Sequence, residues 1–103
     1  MTKINIKSTV EELVNTFLTA GKTSLELRKK GLIKKIKTDN TPVSNGDLEV
    51  NKIVSEKIRQ LTPHVPIISE ETHEHKDLND LSDFWLIDPI DGTFDYINNL
   101  DEF

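Results

Sequence analysis

The chain has 103 residues, of which 35% are hydrophobic and 30% are charged, and its formal net charge is −5 at pH 7. This length allows at most one domain with a modest core. The absence of cysteine excludes disulfides and thiolate metal sites. Because no apolar run could form a signal core or cross a bilayer, we expect no transmembrane segment and a cytoplasmic location, with peripheral membrane association left open.

The first predicted element is a helix from about Ser8 to Lys30. Residues 8–11, Ser-Thr-Val-Glu, have the pattern of a capping box at its start. Apolar residues then follow at helical spacing, at Val10, Leu13, Val14, Phe17 and Leu18. Gly31 is expected to end the helix. Residues 31–38 then predict a short strand with apolar residues Leu32, Ile33 and Ile36.

A turn, a second helix and two strands follow. Residues 39–42 favour a turn, because short polar side chains bond their own backbone there and Pro42 restricts φ. Ser44 or Asn45 then caps a helix that ends at residues 62–63, with an apolar face at Val50, Val54, Ile58 and Leu61. Residues 65–69 and 84–88 predict strands on either side of an acidic loop at 71–82, and another helix opens at Thr93. This order indicates an α/β or α+β fold.

Two carboxylates, Asp88 and Asp91, follow the second of these strands in the run Asp-Pro-Ile-Asp-Gly-Thr. Pro89 cannot extend the strand ladder and Asp91-Gly92 favours a turn, so both carboxylates can face one point. Gly92 would let main chain approach a ligand, and a helix opening at Thr93 would direct N–H groups at an anion. Hard oxygen ligands suit Mg²⁺, which binds substrate phosphate. The alternative is a solvent-exposed turn.

Acidic residues also end the first of these strands, at Glu70 and Glu71. If the two strands are parallel neighbours, Glu70 and Asp88 emerge at one sheet edge, where open α/β sheets bind ligands. Carboxylates gathered there would repel one another unless cations lay between them. The alternative is a hydrated acidic loop.

Charge is distributed unevenly along the chain. Residues 1–62 carry twelve Lys/Arg and seven Asp/Glu, whereas residues 63–103 carry one Lys and eleven acidic residues. With few aromatic residues nearby, the basic cluster predicts a solvated helix end and hairpin rather than a nucleic-acid site: Arg28, Lys29, Lys30, Lys34, Lys35 and Lys37. The His-Glu-His run at 73–75 lacks a supporting ligand pattern and does not predict a metal site.

Three motifs in order resemble the inositol monophosphatase superfamily: DNTPVS at 39–44 with Asp47, SEE at 69–71 and WLIDPIDGT at 85–93. Within it, the chain is most like the 3'(2'),5'-bisphosphate nucleotidase branch. The resemblance implies a layered α-β-α-β-α sugar-phosphatase fold. Residues 1–103 would be the N-terminal portion of one such domain, with two long helices, a short hairpin and the first strands of the sheet. The family's downstream Trp-Asp metal motif would lie beyond Phe103.

The resemblance also implies a metal site. Glu70, Asp88 and the carbonyl of Ile90 would hold one ion, and Asp88 would bridge to a second ion that Asp91 also holds. The implied cofactor is two or three Mg²⁺ ions, typically with inhibition by lithium.

The same resemblance implies the catalytic residues around that metal site. Asp47 and Thr93 would orient and deprotonate the attacking water, and Glu70 joins them as a catalytic metal ligand. The backbone N–H groups of Gly92 and Thr93 would hold phosphate oxygens, and Glu71 would support an outer-shell water.

The chain departs from the family pattern at three places. Ser44 stands where threonine is usual, Asn45 and Gly46 precede Asp47 where a small alanine is common, and Asp101 stands where the branch usually has glycine.

Three functional hypotheses follow. In the first, the chain is the N-terminal fragment of a Mg²⁺-dependent phosphatase that hydrolyses adenosine 3',5'-bisphosphate to AMP and phosphate during sulfate-assimilation turnover. The second keeps the chemistry but takes an inositol or sugar phosphate. In the third, the isolated chain is an inactive module that binds metal weakly. The expected partner is a small phosphorylated molecule rather than nucleic acid, and a homodimer is left open.

Overall fold

Two long helices and two short sheets make up the fold. The computed structural model describes residues 5–69, 71 and 83–103. In chain order, the elements are α1 (Ile6–Lys30), β1 (Lys34–Ile36), β2 (Pro42–Ser44), α2 (Asn45–Leu61), β3 (Ile67–Ser69), β4 (Trp85–Ile87) and α3 (Thr93–Ile97). This mixture of helices and strands confirms the predicted α/β class. The acidic loop at 72–82, with its His-Glu-His run, lies outside the described residues.

Helix α1 begins earlier than the sequence predicts. Asn5 is the N-cap, and its side chain accepts a hydrogen bond from the backbone N–H of Ser8 at 3.1 Å. The predicted capping box of Ser8 and Glu11 is therefore wrong, because Asn5 is an equally good cap and lies one turn closer to the N-terminus. Gly31 ends the helix as predicted, with φ of 99° and an N–H that donates to the carbonyl of Arg28.

The stretch before α2 is a β-hairpin. Strands β1 and β2 are antiparallel, with Lys35 opposite Val43, which confirms the short hairpin that the family resemblance implies. Strand β2 has three residues and starts at Pro42, which has no backbone N–H to donate to a neighbouring strand. At the tip of the hairpin, Asp39 Oδ1 accepts hydrogen bonds from the Thr41 hydroxyl at 2.5 Å and the Thr41 amide at 3.1 Å.

Strands β3 and β4 are parallel neighbours, as the site prediction requires. Ser69 lies opposite Ile87 in the register, so both strands end at the same edge of the sheet. The indole N–H of Trp85 donates to the Thr62 hydroxyl at 3.0 Å, which ties the start of β4 to the end of α2.

The core lies where α1 and α2 pack against each other and against the β3–β4 sheet. Its buried apolar residues are Leu13, Ala20, Val50, Val54, Ile58, Ile67, Ile87, Ile90 and Tyr96. The predicted apolar face of α2 is thereby largely confirmed. The α1 pattern misled, since only Leu13 of its five predicted apolar positions is buried, and the buried face of α1 instead includes Thr9, Ala20 and Ser24.

No helix within the described residues is long and apolar enough to cross a membrane.

We expect Ile58→Ala to lower the free energy of unfolding by about 2–5 kcal/mol, because the Ile58 side chain is 2% exposed and the substitution leaves a cavity. Ile36→Ala is the matched control, since Ile36 is 69% exposed, and should cost no more than about 1 kcal/mol. Urea unfolding monitored by circular dichroism measures both values. Equal losses in the two variants would contradict the described core.

The hydrogen bonds from Thr41, chiefly from its hydroxyl, hold the pKa of Asp39 below its ordinary value of 3.8. A carboxyl with a lowered folded-state pKa stabilises the fold above its unfolded pKa, and this contribution is lost as pH falls through the folded-state pKa. We expect Thr41→Val to raise the pKa of Asp39 towards 3.8, whereas Thr41→Ser, which keeps the hydroxyl, should leave it low. A carboxyl-carbon NMR titration checks this, and an unchanged pKa in Thr41→Val would refute the assignment.

Candidate metal and phosphate site

Asp47 is a buried carboxylate in the first turn of α2. Its side chain accepts hydrogen bonds on Oδ2 from the Ser44 amide at 2.8 Å and the Ser44 hydroxyl at 2.6 Å. The Asp47 amide donates in return to Ser44 Oγ at 3.3 Å, which completes a capping box. This arrangement confirms Ser44 as the N-cap. It also stabilises the helix start, because a carboxylate near a helix N-terminus opposes the positive end of the dipole.

The second oxygen of Asp47 contacts Thr93. The Thr93 hydroxyl lies 2.9 Å from Asp47 Oδ1 and 3.1 Å from the carbonyl oxygen of Ile90. A hydroxyl has one proton and two lone pairs, so it can donate to one of these acceptors while its own oxygen accepts from a third group. The structure therefore joins two predicted site residues that lie 46 positions apart in the sequence.

The loop after β4 bends, as the sequence predicts. Asp88 and Asp91 are exposed, whereas Ile90 between them is buried, and Gly92 has a left-handed backbone with φ of 74° and ψ of 47°. A side chain at position 92 would meet backbone atoms at 3.5 Å, an ordinary contact, so the positive φ rather than crowding favours glycine there. Asp88, Ile90 and Asp91 all line one cleft of about 450 Å³ between this loop and the two long helices.

The chemistry of this loop fits a divalent cation. Two exposed carboxylates, Asp88 and Asp91, share a cleft, and the Ile90 carbonyl retains a second lone pair beside its contact with Thr93. Carboxylate and carbonyl oxygens are the ligands that Mg²⁺ and Ca²⁺ prefer. Among the described residues, no three acidic or histidine side chains lie close enough to form a complete metal site. Glu70, the third predicted carboxylate, lies outside them.

The end of β3 is tied to α2 through Asn51. The buried hydroxyl of Ser69 donates to Asn51 Oδ1 at 2.5 Å and accepts a hydrogen bond from the backbone N–H of Glu71 at 3.2 Å. The sequence prediction missed Asn51. The available signal is its spacing, because Asp47, Asn51 and Ser55 recur every four residues on an otherwise apolar part of α2 and are all buried.

Two residues with charged side chains, Glu71 and Arg28, form contacts that the sequence did not predict. Glu71, predicted to support an outer-shell water, has a side chain only 5% exposed, and its Oε1 lies 3.9 Å from Lys37 Nζ on the hairpin. Arg28, from the basic cluster, donates to the carbonyl of Leu100 at 2.9 Å and pairs with Asp101 at 3.1 Å. Lys37 and Arg28, two members of the basic cluster, thus contact protein groups within the fold.

Comparison with known proteins defines the family. A model of the inositol monophosphatase family matches residues 3–103. The chain belongs to the inositol monophosphatase family. Members of this family are generally metal-dependent, which agrees with the oxygen donors of the β4 loop.

Its similar curated proteins are bacterial nucleotidases. A 3'(2'),5'-bisphosphate nucleotidase CysQ of Haemophilus influenzae is 37% identical over 99 residues, covering 90% of this chain and 37% of that protein. The CysQ of Aggregatibacter actinomycetemcomitans is 44% identical over 72 residues, covering 67% of this chain and 26% of its own. The CysQ of Escherichia coli K12 is 37% identical over 68 residues, which cover 65% of this chain and 28% of that protein. The chain therefore spans only 26–37% of the length of these relatives.

We expect Thr93→Val to lower the free energy of unfolding by about 1–3 kcal/mol, because Asp47 Oδ1 is then left buried without its hydroxyl partner. Thr93→Ser keeps the hydroxyl and should lose less. Urea unfolding of both variants measures the difference. If the serine variant is destabilised as much as the valine variant, the hydrogen bond to Asp47 is not the cause.

Proposed function

We propose that this chain forms the metal- and phosphate-binding part of a Mg²⁺-dependent phosphomonoesterase. Its substrate would be adenosine 3',5'-bisphosphate, which is cleaved to AMP and phosphate in sulfate-assimilation turnover. One observation carries the proposal: the Thr93 hydroxyl lies 2.9 Å from Asp47 Oδ1, and the neighbouring loop contains two exposed acidic residues, Asp88 and Asp91, that line one cleft. The names of the similar nucleotidases support this choice of substrate.

In this proposal, Glu70, Asp88, Asp91 and the Ile90 carbonyl hold two or three Mg²⁺ ions. The bound ions supply a water of lowered pKa and charge stabilisation for the leaving oxygen. Asp88 and Asp91 suit this role because both are exposed acidic residues on the bent loop after β4. A phosphate dianion would be repelled by these carboxylates in the absence of cations.

Asp47 and Thr93 act as the pair that moves a proton. The Thr93 oxygen can accept a hydrogen bond from water while its own proton is directed at Asp47 Oδ1. Asp47 Oδ2 is already occupied by Ser44, so only Oδ1 is directed towards the loop. The backbone N–H groups of Gly92 and Thr93 bind phosphate oxygens, and the left-handed Gly92 sets the direction of this turn. Glu71 supports a water at the edge of the site.

The remaining features of the whole protein are proposed from the same family membership. The chain would be the N-terminal portion of a single domain, since it covers 37% of the Haemophilus influenzae relative. A cytoplasmic location is consistent with the absence of cysteine. A homodimer is compatible with the family but has no specific contact to support it.

A second candidate is an inositol or sugar phosphate phosphatase with the same metal chemistry. The description of the matching family model favours it. Phosphate release from adenosine 3',5'-bisphosphate and from inositol monophosphate would separate the two substrates.

The isolated chain is expected to be inactive, because the described residues do not complete a metal site. Calorimetry with Mg²⁺ and a phosphatase assay on the 103-residue chain test this. Robust turnover by the chain alone would overturn it.

The activity is best tested in a hybrid in which residues 3–103 replace the matching segment of the Haemophilus influenzae nucleotidase. We expect Asp91→Asn in this hybrid to lower kcat/KM by at least about 100-fold, because loss of an outer-shell partner already costs 10–100-fold and loss of a ligand should cost no less. Higher Mg²⁺ should restore part of the rate.

Asp95→Asn is the matched control, because Asp95 is a nearby carboxylate on α3 outside the proposed ligand set. Its kcat/KM should stay close to that of the unsubstituted hybrid. A folded hybrid without activity on any phosphomonoester, or an Asp91→Asn variant with normal turnover, would contradict the proposed function.

A further inference from the structure

Tyr96 is the only buried residue of α3. Its side chain is 0% exposed, and its hydroxyl donates to the carbonyl oxygen of Ser24 on α1 at 2.6 Å. A helix of five residues cannot hold its position by its own hydrogen bonds, so contacts with the rest of the fold must place it. Tyr96 supplies the largest buried surface available for this purpose.

The ring of Tyr96 packs on Gly46, the residue before Asp47. A Cβ atom at position 46 would overlap the Tyr96 hydroxyl oxygen and lie 2.7 Å from both Cε2 and Cζ. Carbon atoms do not approach that closely, so any larger residue at position 46 would displace the ring. The Tyr96 ring therefore occupies the space that a side chain at position 46 would need.

Arg28 holds the same ring from the α1 side. Its guanidinium carbon lies 5.8 Å from the centroid of the Tyr96 ring and 4.7 Å from that of Phe103. The two aromatic rings meet edge to face, with centroids 5.1 Å apart. Because Arg28 also binds Leu100, the segment that follows α3 is fixed to α1 as well.

Two contacts therefore join α3 to the start of α2, one at Gly46 and one at Asp47. Thr93 and Tyr96 are three residues apart and lie on the same face of α3. The Thr93 hydroxyl meets Asp47 Oδ1 at 2.9 Å, and Tyr96 packs on Gly46, the residue next to Asp47 in the chain. A displacement of the Tyr96 ring would move α3 as a unit and with it the Thr93 hydroxyl.

We propose that Tyr96, packed on Gly46, is a positioning residue that sets the distance between Thr93 Oγ1 and Asp47 Oδ1. Neither Tyr96 nor Gly46 is expected to touch substrate. The catalytic importance of this distance rests on the proposed function, but the positioning itself is a property of the chain and can be measured without turnover.

A double-mutant cycle in this chain tests the positioning. The methyl resonance of Thr93 serves as the probe, and that of Thr41 on the hairpin as an internal reference. Gly46→Ala should shift the Thr93 resonance and leave that of Thr41 unchanged. Leucine at position 96 lacks the ring atoms that a Cβ at position 46 would meet, so Gly46→Ala should have little further effect in a Tyr96→Leu background.

A stability control separates positioning from general loosening. Val54→Ala thins the core on α2 about two helical turns away, and it should lower Tm without shifting the Thr93 resonance. If Gly46→Ala prevents folding, Tyr96→Phe tests the placement of the same ring, because it removes the hydroxyl that bonds to Ser24 and that lies nearest to position 46. An unshifted Thr93 resonance in folded Gly46→Ala or Tyr96→Phe, or equal effects of Gly46→Ala in both backgrounds, would overturn the proposal.

The hybrid enzyme supplies the second readout. In the hybrid, Gly46→Ala should lower kcat by about 10- to 100-fold with a smaller change in KM. A catalytic group displaced by about 1 Å can lower the rate by as much as about 100-fold. Adding Tyr96→Leu should make the Gly46→Ala penalty smaller. An inactive unsubstituted hybrid would count against the proposed function alone, because the resonance measurements still decide whether Tyr96 positions Thr93.

Discussion

The buried carboxylate of Asp47 is the constraint on which the rest of the site depends. It is 1% exposed, and a charged group in that position is tolerated only when hydrogen bonds replace its lost water. Ser44 satisfies one oxygen and Thr93 the other. The two sets of bonds join the end of the hairpin, the start of α2 and the loop after β4 at a single side chain. The side chain of Asp47 therefore both caps α2, through Ser44, and connects α2 to a distant segment, through Thr93.

Helix α2 serves as the template for both strand ends. Asp47 in its first turn holds the loop after β4, and Asn51 one turn later holds the end of β3 through Ser69. Since β3 and β4 are parallel neighbours, the C-terminal ends of the two strands lie side by side, and α2 contacts the end of β3 and the segment after β4. The polar spacing of α2 thus places the predicted metal-binding loop against the predicted proton-transfer pair. A helix with only apolar residues on this face could pack equally well but could not orient either loop.

Several large apolar side chains are exposed on the described part of the fold. Strands β3 and β4 form a two-stranded parallel sheet, and Leu86 in its middle is 75% exposed. Parallel sheets are normally covered on both faces. Helix α1 likewise exposes Val10, Val14, Phe17, Leu18 and Leu25. The chain spans 26–37% of the length of the relatives it matches.

Features that depend on short-range chemistry were readable from the sequence. The stop at Gly31, the apolar face of α2 and the bend after β4 follow from hydrogen bonding and backbone preferences within a few residues, and the cap of α2 was narrowed to Ser44 or Asn45. At the start of α1, both Asn5 and Ser8 are suitable N-cap residues, and the sequence prediction of Ser8 was wrong. The oxygen donors of the loop and the family resemblance were also readable, because residue type and order suffice for both.

Three features became visible only in the folded chain: the buried face of α1, the bond between Asn51 and Ser69, and the packing of Tyr96 on Gly46. The Tyr96 hydroxyl bonds to a residue 72 positions away, and Thr93 to one 46 positions away. No local periodicity encodes such pairs, because they depend on how closely separate elements approach and not on the preferences of either element alone. In the sequence, Gly46 was noted only as a departure from the family pattern, and the packed structure shows that its missing side chain leaves room for a buried aromatic ring.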